Sequence, residues 1–467
     1  MNISKIAITN NRVTILVVIM VAIMGLVGYN SLSRNAMPPF TIRAASVVTP
    51  FPGASAERVE ELVTERIERV AQELAAVKRI SSESRVGLSV VSVELDAGVA
   101  KADMQPVWDK LRRKMEELQP TLPDGVGAIN VKDDGLGVVY GLQLGLAGGG
   151  YNLKELEQEA EDIRDDLVKL NDAAEVKISG LRTEQIFVEF DNARLARYGL
   201  SANELQRTIS ATNIVFPGGD VGLGDQRVVL EPTGNFESID DLKDIIIQLN
   251  ETETAKLGEI AEVTRGYTSP PERIVRVDGQ QGLVVGVAVK EGANLIELGE
   301  QVDKKVAIYN QSLPVGMKIE RIASQDAFVQ ASVSGFVSNV LQSVGIVLVV
   351  MFLFLGWRTG LVVASLIPLA IVMTLLLMNL FDVGLNQVTL AALIMALGLL
   401  VDNAIVISEA MMVRMEEGMK PKDAAYAATS ELAIPLLISS LTTSAAFLAF
   451  FLAENTMGEM MGPLFVV

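Results

Sequence analysis

Long apolar stretches without a charged side chain constrain this sequence more than any other feature. A helix needs about 20 apolar residues to cross the hydrocarbon core of a bilayer. Five stretches reach that length, the fourth interrupted only by Asp402, and 50% of all residues are hydrophobic. They run from Arg12 to Arg34, from Asp326 to Arg358, from Arg358 to Asp382, from Asp382 to Glu409 and from Glu431 to Glu454. The sequence therefore predicts a multi-pass membrane protein.

The two ends of the chain carry further apolar segments. A sixth stretch starts after Glu459 and reaches Val467, which is too short to cross a bilayer, so we expect the sequence to be the front part of a longer protein. The first stretch has a basic flank like that of a signal peptide. Its apolar part is longer than a typical signal core and no clear cleavage site ends it, so we interpret it as a retained anchor.

The composition argues against an enzyme. The chain has no cysteine and no histidine, which removes thiolate nucleophiles, disulfides, histidine bases and the usual zinc sites. It also lacks a glycine-rich phosphate-binding loop. Nucleic acid is excluded as a partner because the net charge is −18 and phosphate binding needs a basic face. We expect no cofactor.

Basic residues in short loops predict the orientation of the spans, since such residues mark the cytoplasmic side. The loop at 381–386 lacks them and is assigned to the outside. The remaining segments alternate correctly if the basic positions are cytoplasmic, namely Lys5, Arg12, Arg358, Arg414, Lys420 and Lys422. The N-terminus is then cytoplasmic, and residues 33–332 form a large extracytoplasmic domain.

Alternating and helical apolar patterns in that domain predict repeated strand-helix-strand units. The first has a strand at 44–50, a helix opened by Ser55, and alternating residues at 91–95. The second has strands at 140–146 and 186–190 around a helix from Leu153 to Leu170, and the third covers 283–322. The predicted fold class is an α+β membrane protein, a transmembrane helix bundle with a large periplasmic domain of split βαβ (ferredoxin-like) subdomains.

A different segment lies between the second and third units. Ser201 and Glu204 have the spacing of a capping box for a helix through Ile209. The glycines of "FPGGDVGLGDQRVVLEPTG" (216–234) indicate the turns of a hairpin. This segment therefore looks like an insertion that divides one subdomain in two.

Asp402 and Asn403 stand in the middle of the fourth apolar stretch. An ionisable side chain at this depth costs a few kcal/mol, so it usually faces a bundle interior or an ion path. A proton-coupling role is one interpretation of Asp402, and a structural hydrogen bond between helices is the other. Gly398 is interpreted as a helix-packing position. Glu409, two turns beyond Asp402, is either part of a proton path or an interfacial glutamate without that role.

Methionines recur at helical spacing in two places, at 411, 412, 415 and 419 and at 457, 460 and 461. Thioethers bind soft metal ions, yet methionine is used more often as flexible apolar packing. We assign no metal site. The stretch near 413–430 is predicted to be a cytoplasmic amphipathic helix.

The chain resembles the resistance-nodulation-division (RND) exporters of bacterial inner membranes. The resemblance covers the whole chain and lies in "FPGASAERVEELVTERIE" (51–68), in "LAIPLLISSLTTSAAF" (432–447), and in a fourth-span pattern formed by Gly398, Asp402, Asn403, Ala404, Ile405, Val406 and Glu409. It implies a trimer whose protomers have twelve spans in two similar halves, of which this chain is the first. It also implies a periplasmic adaptor, an outer-membrane channel, a lipid membrane and a small-molecule substrate as partners.

The resemblance also implies a division into domains and a proton antiport in which Asp402 is loaded from the periplasm. The expected parts are a first span at 1–32, a porter subdomain at 33–135, a second porter subdomain at 136–180 and 269–328 split by a docking-type insertion at 181–268, and spans two to five with the start of a sixth at 329–467. The partner lysine of the family lies in the missing half.

Three positions depart from the multidrug members of the family. Many of those have a second aspartate where this chain has Asn403, so one carboxylate is left to titrate here. Those members have two aromatic residues in a deep pocket, and the corresponding positions in this chain are Ser179 and a residue near Ala323. We therefore leave the substrate-binding residues unassigned.

Three functions remain as hypotheses. The leading one is export of hydrophobic or amphiphilic small molecules driven by the proton-motive force. Export of heavy-metal ions by the same fold is an alternative within transport. A membrane-anchored periplasmic binding or sensory module is an alternative of another class, which gains nothing from a buried carboxylate at Asp402.

Overall fold

The computed structural model describes residues 3–134, 137–212, 220–223, 226–229, 238–249, 253–271 and 273–467. The chain divides into two compact units. The first consists of Met1–Gly145, Ala160–Lys177 and Val285–Val467, and the second of Leu146–Glu159 and Ile178–Val284. The chain begins with the helices α1 (Ile3–Thr9) and α2 (Asn11–Ser31), and α2 is apolar.

A four-stranded sheet follows α2. Its segments are β1 (Ala44–Pro50), α3 (Ala56–Val59), a π-helical turn at Glu60–Thr64, α4 (Glu65–Gln72), β2 (Val77–Arg85), β3 (Leu88–Leu95), α5 (Lys101–Leu118), a 3₁₀ turn at Gln119–Thr121, and β4 (Asn130–Lys132). The strand order is β2-β3-β1-β4, and every neighbouring pair is antiparallel. Val47, Val91 and Val93 of the sheet share a buried core with Trp108 and Leu111 of α5.

The predictions for the first strand-helix-strand unit, which covers residues 44–95, are confirmed. Ser55 caps α3 by accepting a hydrogen bond from the backbone N–H of Arg58. Strand β3 buries every second residue, as the alternation at 91–95 predicted. The sequence analysis missed β2, β4 and α5. Strand β2 is mostly polar and exposed, so it lacks the alternation that marks a half-buried strand.

The middle of the chain contains many short elements. In chain order they are β5 (Leu142–Gly148), α6 (Leu153–Leu167), β6 (Ala173–Ser179), β7 (Glu184–Glu189), α7 (Asn192–Arg197), α8 (Ala202–Thr212), β8 (Asp220–Leu223), β9 (Gln226–Val229), α9 (Ile239–Lys243), β10 (Ile246–Gln248), β11 (Thr254–Lys256), α10 (Leu257–Ile260), β12 (Glu262–Tyr267), β13 (Arg276–Val277), β14 (Gln280–Val289), α11 (Leu295–Ser312) and β15 (Met317–Ser324). A five-stranded sheet has the order β13-β14-β5-β15, with β6 paired to β14.

One strand of the second predicted unit lies elsewhere than expected. The segment at 186–190 was expected to complete the unit that begins at 140–146. It lies instead in β7, which pairs antiparallel with β12. The strand that follows α6 into the five-stranded sheet is β6. Its buried side chains, Ala173 and Val176, are three residues apart, so β6 shows no alternation in the sequence.

The predicted capping box in the second compact unit is confirmed. The backbone N–H of Ser201 donates to Glu204 Oε2 at 2.8 Å, and the backbone N–H of Glu204 donates to Ser201 Oγ at 3.2 Å. The paired strands β8 and β9 lie within the predicted hairpin. The other residues of that segment, 216–219, 224–225 and 230–234, lie outside the described residues.

The chain ends in long helices. They are α12 (Gln325–Leu355), α13 (Trp357–Leu380), α14 (Gln387–Glu416) and α15 (Pro421–Phe451), followed by the short α16 (Thr456–Met461) and α17 (Pro463–Val466). Within the described residues, four helical segments are long and apolar enough to cross a membrane: Asn11–Ser31, Gln325–Val350, Gly360–Leu380 and Pro421–Phe451. In α14 the described apolar segment is shorter, Gln387–Ala396.

The amphipathic helix predicted near 413–430 is wrong as a single element. Helix α14 ends at Glu416, the chain turns at Gly418 with a φ of 94°, and α15 begins at Pro421. A glycine with positive φ terminates a helix, and proline is favoured at the first position of the next. The predicted segment therefore joins the ends of two long helices, where Arg414 and Glu431 form an ion pair.

Helix α2 packs closely against α13 through glycine. A Cβ at Gly25 would overlap the backbone carbonyl of Val372, and one at Gly28 would touch Asn379. Near the end of the same contact, Ser31 Oγ donates a hydrogen bond to Asn379 Oδ1 at 3.0 Å. Small residues let membrane helices approach closely, so this contact depends on Gly25 having no side chain.

Backbone hydrogen bonds fix the start of α14. The segment 33–36, just after α2, runs beside the segment 385–387, just before α14. The N–H of Asn35 donates to the carbonyl of Leu385 at 3.0 Å, and the N–H of Leu385 donates to the carbonyl of Ser33 at 2.8 Å. A third bond joins Gln387 N–H to the carbonyl of Ala36 at 3.2 Å. The beginning of α14 is thereby tied to the end of α2.

We expect Gly25→Ala to destabilise the protein by about 1–3 kcal/mol, because the added methyl group must push α2 and α13 apart. Thermal unfolding of the detergent-solubilised protein should show a lower midpoint. Gly345→Ala is the matched control, since its Cβ position in α12 has no described atom within 4 Å apart from its chain neighbours and the adjoining backbone of that helix. Equal midpoints for the two variants would contradict the close packing of α2 on α13.

Candidate functional site

The helix that carries Asp402 has a strongly fixed beginning. Asn386 caps α14, and its Oδ1 accepts hydrogen bonds from the backbone N–H groups of Val388 and Thr389, both at 3.0 Å. Thr389 Oγ1 accepts in return from the backbone N–H of Asn386 at 2.9 Å. Asn386 and Thr389 are both buried, so the cap is held inside the protein.

Asp402 lies at the middle of α14. The helix has 30 residues and is about 45 Å long, which places Asp402 about 22 Å from its start. The side chain is exposed. Among the residues that the structure describes, it has no hydrogen-bond or ion-pair partner. A carboxylate at this depth is therefore free to meet a group that the described residues do not supply.

Asn403 faces a different neighbour. Its Nδ2 donates a hydrogen bond to Ser440 Oγ in α15 at 3.2 Å. Successive residues of a helix are rotated by about 100°, so this bond to α15 leaves Asp402 on another face of α14. Asn403 thus links the two helices and lies beside the carboxylate without bonding to it.

Ser440 is a site residue that the sequence analysis did not single out. It belongs to a run of hydroxyl residues, "SSLTTS" (439–444), in an otherwise apolar helix. Thr442 Oγ1 donates to the carbonyl of Ile438 at 2.8 Å, and Thr443 Oγ1 donates to the carbonyl of Ser439 at 3.1 Å. The polar run itself was the available signal, because hydroxyls in a membrane helix commonly bond to a neighbouring helix.

Gly398, Asp402 and Glu409 lie on one face of α14. Their spacings of four and seven residues place them in one row along the helix, and all three are exposed. Apart from its chain neighbours and the adjoining backbone of α14, no atom of the described residues lies within 4 Å of the Cβ position of Gly398. Val406 and Val413 extend the same exposed row. The structure thus brings three of the predicted site residues onto one open face and turns Asn403 toward α15.

The comparison with known families identifies the chain. The model of the AcrB/AcrD/AcrF family matches residues 3–466. The chain belongs to this family. Its members are RND efflux transporters, and the family is one of transporters, not of enzymes.

The open face of α14 has a physical consequence for this RND transporter. A carboxylate at the bilayer centre costs about 2.5–3.5 kcal/mol on insertion scales when it is left in lipid. Gly398, one turn before Asp402, presents no side chain and allows a second helix to come close. The row from Gly398 to Glu409 is therefore suited to contact with another helix that offers Asp402 a polar or cationic group.

The two methionine groups do not come together in the transporter. Met411, Met412 and Met415 lie near the end of α14. Met457 and Met460 lie in α16, beyond the far end of α15. Helix α15 has 31 residues, which is about 46 Å, and it separates the two groups. Each group thus stands at its own end of α15, and the two together do not form one metal path.

We expect the bond between Asn403 and Ser440 to contribute about 0.6 kcal/mol, the average for hydrogen bonds between membrane helices. A double-mutant cycle of Asn403→Ala and Ser440→Ala, read by thermal unfolding in detergent, should return this coupling. Ser439→Ala is the matched control, because its side chain is not the partner of Asn403. A coupling of zero for Ser440, or an equal one for Ser439, would disprove the contact.

Proposed function

We propose that this RND transporter uses proton antiport to export hydrophobic or amphiphilic small molecules from the periplasm or the membrane toward the outside of the cell. The observation that carries the proposal is the position of Asp402, an ionisable group halfway along an apolar 30-residue helix. An anchor helix gains nothing from a carboxylate there, since the ionised form is costly in the membrane.

Protonation of Asp402 changes what the face of α14 requires. The ionised carboxylate needs a polar or cationic partner, while the neutral acid does not. The two forms therefore favour different packings of the helices around α14. A proton that crosses a membrane potential of 100 mV delivers about 2.3 kcal/mol, which is enough to shift such a packing equilibrium by more than tenfold. One carboxylate thus suffices for coupled export, with Asn403 as its neutral neighbour and Glu409 on the path toward the cytoplasm.

The placement in the membrane is part of the proposal. We assign the protein to the bacterial inner membrane, with a cytoplasmic N-terminus and with residues 33–332 in the periplasm. The basic residues in the loops support this orientation. The order β2-β3-β1-β4, with helices between β1 and β2 and between β3 and β4, supports a split βαβ (ferredoxin-like) porter subdomain. The pairing of β7 with β12 supports a docking-type insertion between residues 181 and 268.

The partners and the cargo follow from the family and from the open face of α14. RND transporters generally work as trimers with an adaptor and an outer-membrane channel, and we propose the same assembly here. We propose that a lysine-bearing helix of the second half covers Gly398 and Asp402. By the resemblance, the positions where multidrug members have aromatic residues fall at Ser179 and near Ala323, so we propose that the cargo is held with less ring stacking than in those members.

We expect Asp402→Asn to abolish export while folding and insertion remain normal. Asparagine keeps the size and polarity of the side chain but fixes the neutral form. Asn403→Ala is the matched control and should reduce export much less, since it removes one hydrogen bond to Ser440 and no titratable group. Export of a fluorescent substrate from cells, with the amount of protein in the membrane measured in parallel, tests both variants.

The same experiment can overturn the proposal. Normal export by Asp402→Asn at a normal membrane level would make Asp402 a structural polar residue. Loss of export by both variants, with loss of protein from the membrane, would assign the site to folding. Vesicles under a pH gradient supply the second measurement, since only the parent and Asn403→Ala should move protons when substrate is added.

We also expect a cysteine placed at Val86 to be labelled from outside the cell and one placed at Lys420 not to be. Val86 is 77% exposed in the turn between β2 and β3, and Lys420 is exposed in the turn between α14 and α15. The chain has no cysteine of its own, so labelling with an impermeant maleimide has no background. Labelling at Lys420 without labelling at Val86 would reverse the proposed orientation.

A further inference from the structure

The guanidinium of Arg43 joins three segments of the first compact unit. Arg43 lies just before β1, and its side chain is only 8% exposed. Its Nε donates to the carbonyl of Val99 at 2.9 Å, and Nη1 donates to the carbonyl of Thr41 at 3.2 Å. Its Nη2 donates to Glu459 Oε1 in α16 at 2.6 Å. Arg43 therefore connects the beginning of the first sheet with the short helix that follows α15.

Glu459 is held from two sides. While Oε1 accepts from Arg43, Oε2 accepts from the backbone N–H of Thr41 at 2.7 Å. Burial raises the pKa of Glu459, but the hydrogen bonds from Arg43 and Thr41 outweigh it and leave the pKa below its usual range. The carboxylate therefore stays ionised and paired at neutral pH. Charge-assisted pairs of this kind are about twice as strong as neutral hydrogen bonds.

Helix α16 is closely attached to α15. Asn455 caps α16 by accepting from the backbone N–H of Gly458 at 2.8 Å. A Cβ at Gly458 would overlap the carbonyl of Ala453, so the turn between the helices is compact. The ring of Phe451 at the end of α15 lies 5.3 Å from that of Phe465 in α17. Glu459 is thus joined to the end of α15 by a short, tightly packed connection.

The other end of this route is the candidate site. Helix α15 carries Ser440, which accepts the hydrogen bond of Asn403 beside Asp402. The covalent route from α2 to the first sheet is less direct, because residues 37–43 contain no helix and no strand. The pair of Arg43 and Glu459 supplies a side-chain connection from α15 to the sheet that bypasses this extended segment.

We propose that the ion pair of Arg43 and Glu459 is a transmission joint, which stays closed during transport and passes the rearrangement of α14 and α15 to the first sheet. This inference rests on the proposed function, because it needs a transport cycle to transmit. It assigns positioning roles to Arg43 and Glu459, since both act through the helices and the sheet that they connect. A pair that only stabilised the fold would change the amount of protein in the membrane and leave the export per molecule unchanged.

The first test is Glu459→Gln, which keeps the shape of the side chain and removes its charge. Export should fall about tenfold, within the range typical of coupling between distant sites, while the amount of protein in the membrane stays normal. The matched control is Glu94→Gln, which breaks the pair with Arg79 inside the first sheet, and it should export at the parental rate. Parental export by Glu459→Gln would overturn the proposal.

The second test closes the joint covalently. In the double variant Thr41→Cys with Glu459→Cys, the ion pair is lost and export should fall as in Glu459→Gln. A short, reducible thiol crosslinker between the two cysteines should restore export, and reduction should abolish it again. A crosslinked protein that remains inactive would overturn the proposal, because the contact would then have to open during transport. A double variant whose export falls only in proportion to its amount in the membrane would also overturn the proposal, because the pair would then have a structural role.

The two proposals fail in different ways. Asp402→Asn is measured beside Glu459→Gln in the same cells. If Asp402→Asn exports normally and Glu459→Gln does not, proton coupling at Asp402 is wrong while the joint still affects export. If Asp402→Asn is inactive and Glu459→Gln exports normally, the joint is wrong and proton coupling at Asp402 stands.

Discussion

The free-energy cost of an ionised carboxylate inside an apolar helix is the main constraint on the helices around α14. Asp402 lies on a face of α14 that the described residues leave open. Other positions of the helix make its contacts with the rest of the protein. The cap at Asn386 and the bond from Asn403 to Ser440 fix the helix on both sides of the carboxylate. These contacts do not use Asp402, so they hold the helix while leaving its carboxylate on the open face.

Glycine lets two helices pack closely at one contact, and polar side chains join two helices at another. Glycine at position 25 lets α2 reach the backbone of α13, and Asn379 completes that contact with a hydrogen bond. Between α14 and α15 the polar contact described beside Asp402 is the hydrogen bond from Asn403 to Ser440. A weak bond of this kind is easier to rearrange than an interlocked glycine contact, since it contributes only about 0.6 kcal/mol.

The sequence predicted the elements whose pattern reports burial. The strand at 44–50, the cap at Ser55 and the capping box of Ser201 with Glu204 follow local rules, and all three are present. Strand β6 was missed because its buried residues do not alternate. Asp402 was singled out because a charge stands out in an apolar stretch. Ser440 and Glu459 were not singled out, since their roles depend on contacts with residues 37 and 416 positions away, which no local pattern encodes.

The junction between the end of α2 and the start of α14 has a consequence for how this protein can vary. Its three hydrogen bonds join backbone groups of residues 33–36 to those of 385–387 and do not involve the side chains. Side chains there can change without loss of the connection, provided that proline, which has no N–H, does not replace a donor. The exceptions are Asn386, whose side chain caps α14, and the neighbouring Gly384, where a Cβ would overlap Ser33. The path of the chain at this junction is thus set by backbone groups more than by most of the side chains along it.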